Sequence, residues 1–395
     1  MLKKNVFHHM TIPSGLALAI LSATTVTHAE EQGWSVSGFV RGNYQYKEYA
    51  ESEKSKAQIS DVRLNLNYKK DQVDGKITAR CVQFNEMCDL MTLSDAYLGY
   101  QLDEQQKVTV GLQPIPFGIG TYWDSSFYES MMYTIGMQDT HNIGIRYDLS
   151  QDQQSWSFGY FPKDGGNYKG DSKDASRYSA NFIEGVSDNA TQIDEKNMLM
   201  MRYAYQGQKD TAGYTLGSSV WYSFLDNKNN NKTGSRMNAN VFGQWATPTY
   251  DTTLTFGYQD IDHKQAGVNY STFGSFDTEY HVANQAYYYV ADLDYKTSWH
   301  YKDWKGFKPY LVFSGLMKQD GQPNSYRNIA GLQADYKNIT INAEYIWAKN
   351  DAFVGGNTNS FANSTDNDWK KLLYIRPLAK VVIASSSDLP VQRLS

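Results

Sequence analysis

The sequence predicts an all-β fold, a membrane-spanning antiparallel barrel of about sixteen strands, and three observations carry that prediction. Segment after segment alternates apolar and polar residues, the connections between segments are short and long by turns, and beyond residue 29 no apolar run reaches the roughly 18 residues of a spanning helix. Val62, Leu64, Leu66 and Tyr68 share one strand face while Arg63, Asn65 and Asn67 share the other. A soluble sandwich alternates too, with its apolar face inward, so period alone does not decide. The loop lengths do, because a sandwich has no reason to sort them by parity.

Taken in order, the first strand, 34–49, gathers Tyr44, Tyr46 and Tyr49 near one end, as an interfacial girdle would. Strands 58–70 and 73–84 meet at a tight turn around Asp71, and 90–103 is followed by 106–113. Segments 139–150 and 153–162 turn at Asp152, 197–207 and 211–225 at Asp210, and 234–247 and 250–262 at Pro248. Segment 284–299 carries Asp292, Asp294 and Lys296 on its polar face, and 305–319, 324–336, 338–350 and 367–376 complete an even count of sixteen. The long connections, 114–138, 163–196, 263–283 and 351–366, fall at the opposite end from the tight turns. Short turns in the periplasm and long loops outside are the outer-membrane arrangement, and sixteen strands are wide enough for an aqueous channel.

The ends differ from the middle. Residues 1–29 combine Lys3 and Lys4, an apolar stretch over 16–26 and small residues before Glu30, which reads as a secretory signal peptide. Its removal takes two of the 37 bases and leaves 35 against 42 acids, a charge of about −7 that argues against nucleic acid. The barrel is expected over 30–376, with 377–395 an atypical tail, because Pro377 suits a strand end and the chain lacks an aromatic terminus. Mean hydropathy is −0.59, so any membrane crossing must be made by paired strands. Thirty-one Tyr, 9 Trp and 17 Phe are many for so polar a chain and fit aromatic belts. The two cysteines, Cys81 and Cys88, lie in one hairpin and, outside the cytoplasm, are expected to form a disulfide.

Enzymatic motifs are not found. His141, His263, His281 and His300 have no metal-ligand spacing, no serine sits in a nucleophile elbow, and no cofactor or metal is expected. The connection 114–138 is more informative. It opens with Pro114 and Pro116, and from Val108 to Ile145 there is no Lys or Arg, while Asp124, Glu129 and Asp139 supply acid. Alternation points Arg41, Arg63 and Arg80 to the polar face at similar height on the first three strands. The expectation is a pore constriction, with those arginines facing Asp124 and Glu129 across an inward-folded loop and selecting solutes by charge and dipole. Arg146 and Arg202, nearer the turns, are candidates for a lower ladder along the lumen.

The stretch VGLQPIPFG at 110–118, Arg63 within RLNLNY and Asp95 within DAYLGY resemble the early strands of the phosphate-selective porin O and P family. The resemblance spreads over roughly 34–376 and is clearest from 58 to 150. It implies a sixteen-stranded barrel, a homotrimer in outer-membrane lipid and lipopolysaccharide, an inward-folded loop and an arginine ladder. The function expected is a porin of the Gram-negative outer membrane, passing small hydrophilic solutes and ions by diffusion. The acidic chain and the base-free loop count against phosphate selectivity, which stays as the alternative. A secreted carbohydrate-binding β-protein is the reading from a different class.

Overall fold

A computed structural model describes residues 33–385 apart from 365 and 367, and of 381–385 the backbone alone. The expected signal peptide and the last ten residues of the expected tail lie outside the described residues. Sixteen strands form a closed antiparallel barrel. They are β1 (Gly33–Lys47), β2 (Ser55–Lys70), β3 (Val73–Val82), β4 (Leu90–Gln101), β5 (Gln106–Pro114), β6 (His141–Gln151), β7 (Gln154–Lys163), β9 (Ile193–Lys209), β10 (Ala212–Asn227), β11 (Lys232–Ala246), β12 (Tyr250–Asp262), β15 (Gln285–Tyr295), β16 (Trp304–Lys318), β17 (Ser325–Tyr336), β18 (Ile339–Lys349) and β19 (Lys370–Ser385). Three short strands, β8 (Asn181–Phe182), β13 (Tyr270–Ser275) and β14 (Thr278–Ala283), belong to the long connections and pair as a separate sheet. One helical turn, α1 (Met131–Thr134), lies between β5 and β6.

Strands joined by a tight turn are neighbours because the turn leaves no other choice. Four two-residue turns place Asp71, Asp152, Asp210 and Lys337 at positive φ, which reverses the chain within the reach of one hairpin. The apolar face of the period points outward: Leu98 is 62% exposed, Val110 53% and Leu254 56%. Thr109 and Thr253, one residue from Val110 and Leu254, are buried. That inversion of the usual inside and outside is what hydrocarbon demands of a barrel wall, and it rules out the soluble sandwich. Cys81 and Cys88 are joined by a disulfide across the β3–β4 connection, with Cα atoms 4.6 Å apart.

The expected end of the barrel at Arg376 needs correction. β19 runs through Pro377 to Ser385 and pairs on both sides, with Ile341↔Pro377 on β18 and Ser35↔Ser385 on β1. Proline is tolerated because the β1 ladder steps from Tyr44↔Ile375 to Arg41↔Leu378, leaving Pro377 opposite a gap where no N–H is required. Gly42 stands beside its ring, so no side chain contests the space.

Candidate functional site

The site begins with register. Arg63 and Arg80 are directly cross-strand partners on β2 and β3, and Arg41 is opposite Asp61 on β2, two residues farther along. β-Bulges between Arg41 and Gly42 and between Thr78 and Ala79 twist the sheet beside them. Two arginines facing each other repel unless an acid intervenes. Asp61 intervenes: its oxygens are 2.9 Å from Arg41 and 3.2 Å from Arg80, and Arg376 of β19 approaches to 3.6 Å. Three arginines therefore share one carboxylate, and Arg63 stands beside them on the same wall. Rings hold their planes. Arg41 lies 4.2 Å and Arg63 5.0 Å from the centre of Phe39, Arg80 5.1 Å from Tyr178, and Arg376 3.0 Å from Phe127.

Segment 115–140 faces this wall. Its start is written by the motif at 110–118, where Gly111 and Gly118 both have positive φ. A Cβ at Gly111 would stand 2.3 Å from the Ala96 carbonyl, and one at Gly118 2.5 Å from the Trp123 ring; only glycine fits either place. Phe117 then packs 4.0 Å from Trp221, and Met131, Met132, Ile135 and Met137 are buried in the same apolar cluster with Tyr288 and Ile329.

Charged side chains on the strands grip the backbone of the segment at both polarities. Glu344 accepts from the N–H groups of Phe127 and Tyr128 at 2.6 and 3.0 Å, and Asp292 from that of Ser125 at 3.1 Å. Arg327, bidentate to Asp351, donates to the carbonyls of Glu129 and Ser130, each at 3.3 Å. Buried carbonyls and amides need partners, and these supply them.

One cavity of about 600 Å³ lies between segment and wall, and Arg41, Arg63, Arg80, Asp124 and Glu129 all line it, together with Asp61, Asp139, Arg327 and Arg376. Asp124 and Glu129 differ in character. The oxygens of Asp124 are engaged by the backbone N–H of Ser126 at 3.0 Å and of Ser130 at 3.1 Å. Oε2 of Glu129 is buried without a hydrogen-bond partner. Burial, with Asp139 and then Asp124 adding to it, pushes the Glu129 carboxyl well above its ordinary value.

Arg146 and Arg202 are placed elsewhere. They line a second cavity of about 340 Å³, where Arg146 donates to the Pro114 carbonyl at 3.1 Å and Arg202 to those of Gly118 and Ile119 at 2.7 and 3.1 Å. They fasten the start of the segment rather than standing free as rungs. The other end is fastened by His141, which meets Asp139 at 2.9 Å and Asp95 at 3.4 Å. Sequence reasoning missed Asp61 and Arg376. Asp61 is two residues from Arg63 and so on its face, a signal that was available; Arg376 was read as the end of a strand. Among the described residues no group of three His, Cys, Asp or Glu is placed to hold a metal ion.

Residues 49–237 match the family described as phosphate-selective porin O and P. None of the curated proteins matches the chain. Among solved structures, the outer membrane channel DcaP of Acinetobacter baumannii superposes with a TM-score of 0.59 at 12% identity, covering 88% of this chain and 97% of that one. OmpF of Salmonella typhi, in complex with daunomycin, gives 0.58 at 13% identity over 88% and 97%. The trimer form of OmpT from Vibrio cholerae gives 0.53 at 10% identity over 89% and 100%. With the family match over 49–237, the closed sixteen-stranded wall and its exposed apolar face, the chain is an outer-membrane porin resembling the phosphate-selective porins O and P.

Proposed function

We propose that segment 115–140 crosses the lumen as the constriction of a diffusion channel, narrowing it to the space between the arginine wall and the acids of the segment. The observation that supports this is one cavity lined by Arg41, Arg63, Arg80 and Arg376 on strands and by Asp124, Glu129 and Asp139 on the segment. Opposite charges on opposite sides set up a transverse field, which orients small polar solutes and slows those that cannot align. No chemical step enters this reading. The assembly proposed is a homotrimer, as the trimer form of OmpT is.

A second reading, an anion-selective channel, draws on the excess of base on this wall, where three arginines share Asp61 and Arg63 has no ion pair among the described residues, and on the family name. Reversal potentials of the purified exported protein in planar bilayers under a salt gradient test both. Strong chloride preference favours the anion channel, near-zero potential the general one, and absence of any conductance overturns both.

A further inference from the structure

The cavity has a property that charge selection does not use. Phe39, Tyr122, Phe127, Tyr133, Phe276 and Phe353 line it without being buried, and Tyr122 is 55% exposed. Rings left in contact with water in a polar passage keep apolar area uncovered, and covering it would gain roughly 25 cal/mol per Å². Rings of the protein lie over the guanidinium faces, Arg41 and Arg80 give N–H groups to Asp61, and the N–H edge of Arg63, with the remaining donors of Arg80, is left for a ligand. In-plane edges take a carboxylate. A flat ring attached to that carboxylate would cover Tyr122 and Phe276.

Resting on the channel reading above, we infer that this cavity recognises small aromatic carboxylates, the carboxylate at the edges of Arg63 and Arg80 and the ring against Tyr122 and Phe276. The volume, about 600 Å³, is that of a small-molecule site. Inorganic phosphate gains nothing from the rings and meets the acids of the segment with its second charge. Acetate reaches the arginines but covers no ring, and a neutral aromatic covers the rings but reaches no partner for their charge.

The test is block of potassium chloride current through the exported full chain in a planar bilayer, with sodium benzoate, acetate or phosphate added to one side. Benzoate should halve the current at about tenfold lower concentration than acetate or phosphate, a difference of about 1.4 kcal/mol. Tyr122→Ala should remove the difference between benzoate and acetate, and Arg63→Gln should weaken block by both. The inference is overturned if phosphate or acetate blocks as well as benzoate, or if Tyr122→Ala keeps the benzoate advantage. A chain that carries no current at all would instead overturn the channel reading.

Discussion

Glu129 is held against its preferences. Its φ is 67°, a region that costs a residue with a side chain of order 1–3 kcal/mol, and its carboxyl is pushed up by burial and by Asp139 and Asp124. An acid with a raised value is neutral below it and charged above it. As pH rises through that value the segment gains a negative charge, so permeability should move toward cations on the alkaline side. Reversal potentials measured as pH is raised above the ordinary carboxylate range should drift in that direction, and Glu129→Gln should flatten the drift. Equal drift in the variant would remove Glu129 from the site. The arginines divide differently. Arg41 and Arg80 both donate to Asp61, so neutralising either removes a charge-assisted hydrogen bond worth about 1.5–3 kcal/mol, while the remaining arginine and Arg376 still face the carboxylate. Arg63 makes no ion pair among the described residues. Arg63→Gln should therefore shift selectivity toward cations at unchanged thermal stability, whereas Arg80→Gln should lower the temperature at which the folded barrel unfolds on a gel. The selectivity shift should fade as the screening length falls from about 10 Å at 0.1 M salt to about 3 Å at 1 M. Parity made the three arginines legible in the sequence. It could not show that Arg146 and Arg202 spend their donors on segment carbonyls, because the path of a returning loop leaves no trace in strand periodicity.

Segment 115–140 is the element on which the proposed constriction turns, and strand side chains hold its backbone at both polarities. Arg327 and Glu344 each bind two of its backbone groups, and both are buried. Arg327→Met should leave Asp351 unpaired and free the carbonyls of Glu129 and Ser130, letting the segment fluctuate. Single-channel records should then show larger and noisier conductance; a quiet trace of unchanged amplitude would mean the apolar cluster alone holds the segment. Sixteen barrel strands were legible, the last only as far as Arg376, since a wall with one face in lipid and one in water repeats with period two. β8, β13 and β14 were not. Each has six residues or fewer, and β13 is buried on both faces from Ser271 to Ser275, so no alternation announces it.

At the scale of the whole molecule the barrel closes through β1 and β19, whose pairing spans Ser35↔Ser385 to Lys47↔Leu372. The chain after Arg376 is therefore wall. Truncation after Arg376 should remove the pairs from Ser35 to Arg41 and prevent assembly, seen as loss of the folded, heat-modifiable band in detergent. A truncated chain that still folds would return those residues to the status of a tail. Recovery of the full exported chain only with detergent is expected of its outward Leu, Val and Phe residues. Asp61 adds a temporal order to this geometry. It joins Arg41 and Arg80, from the first and third strands, to Arg376, from the last, some 315 residues away in sequence. Loop closure on that scale comes late, after local hairpins have formed. Until the final strand arrives the wall is missing one of its four positive charges, so the proposed constriction would be completed by the same event that seals the sheet.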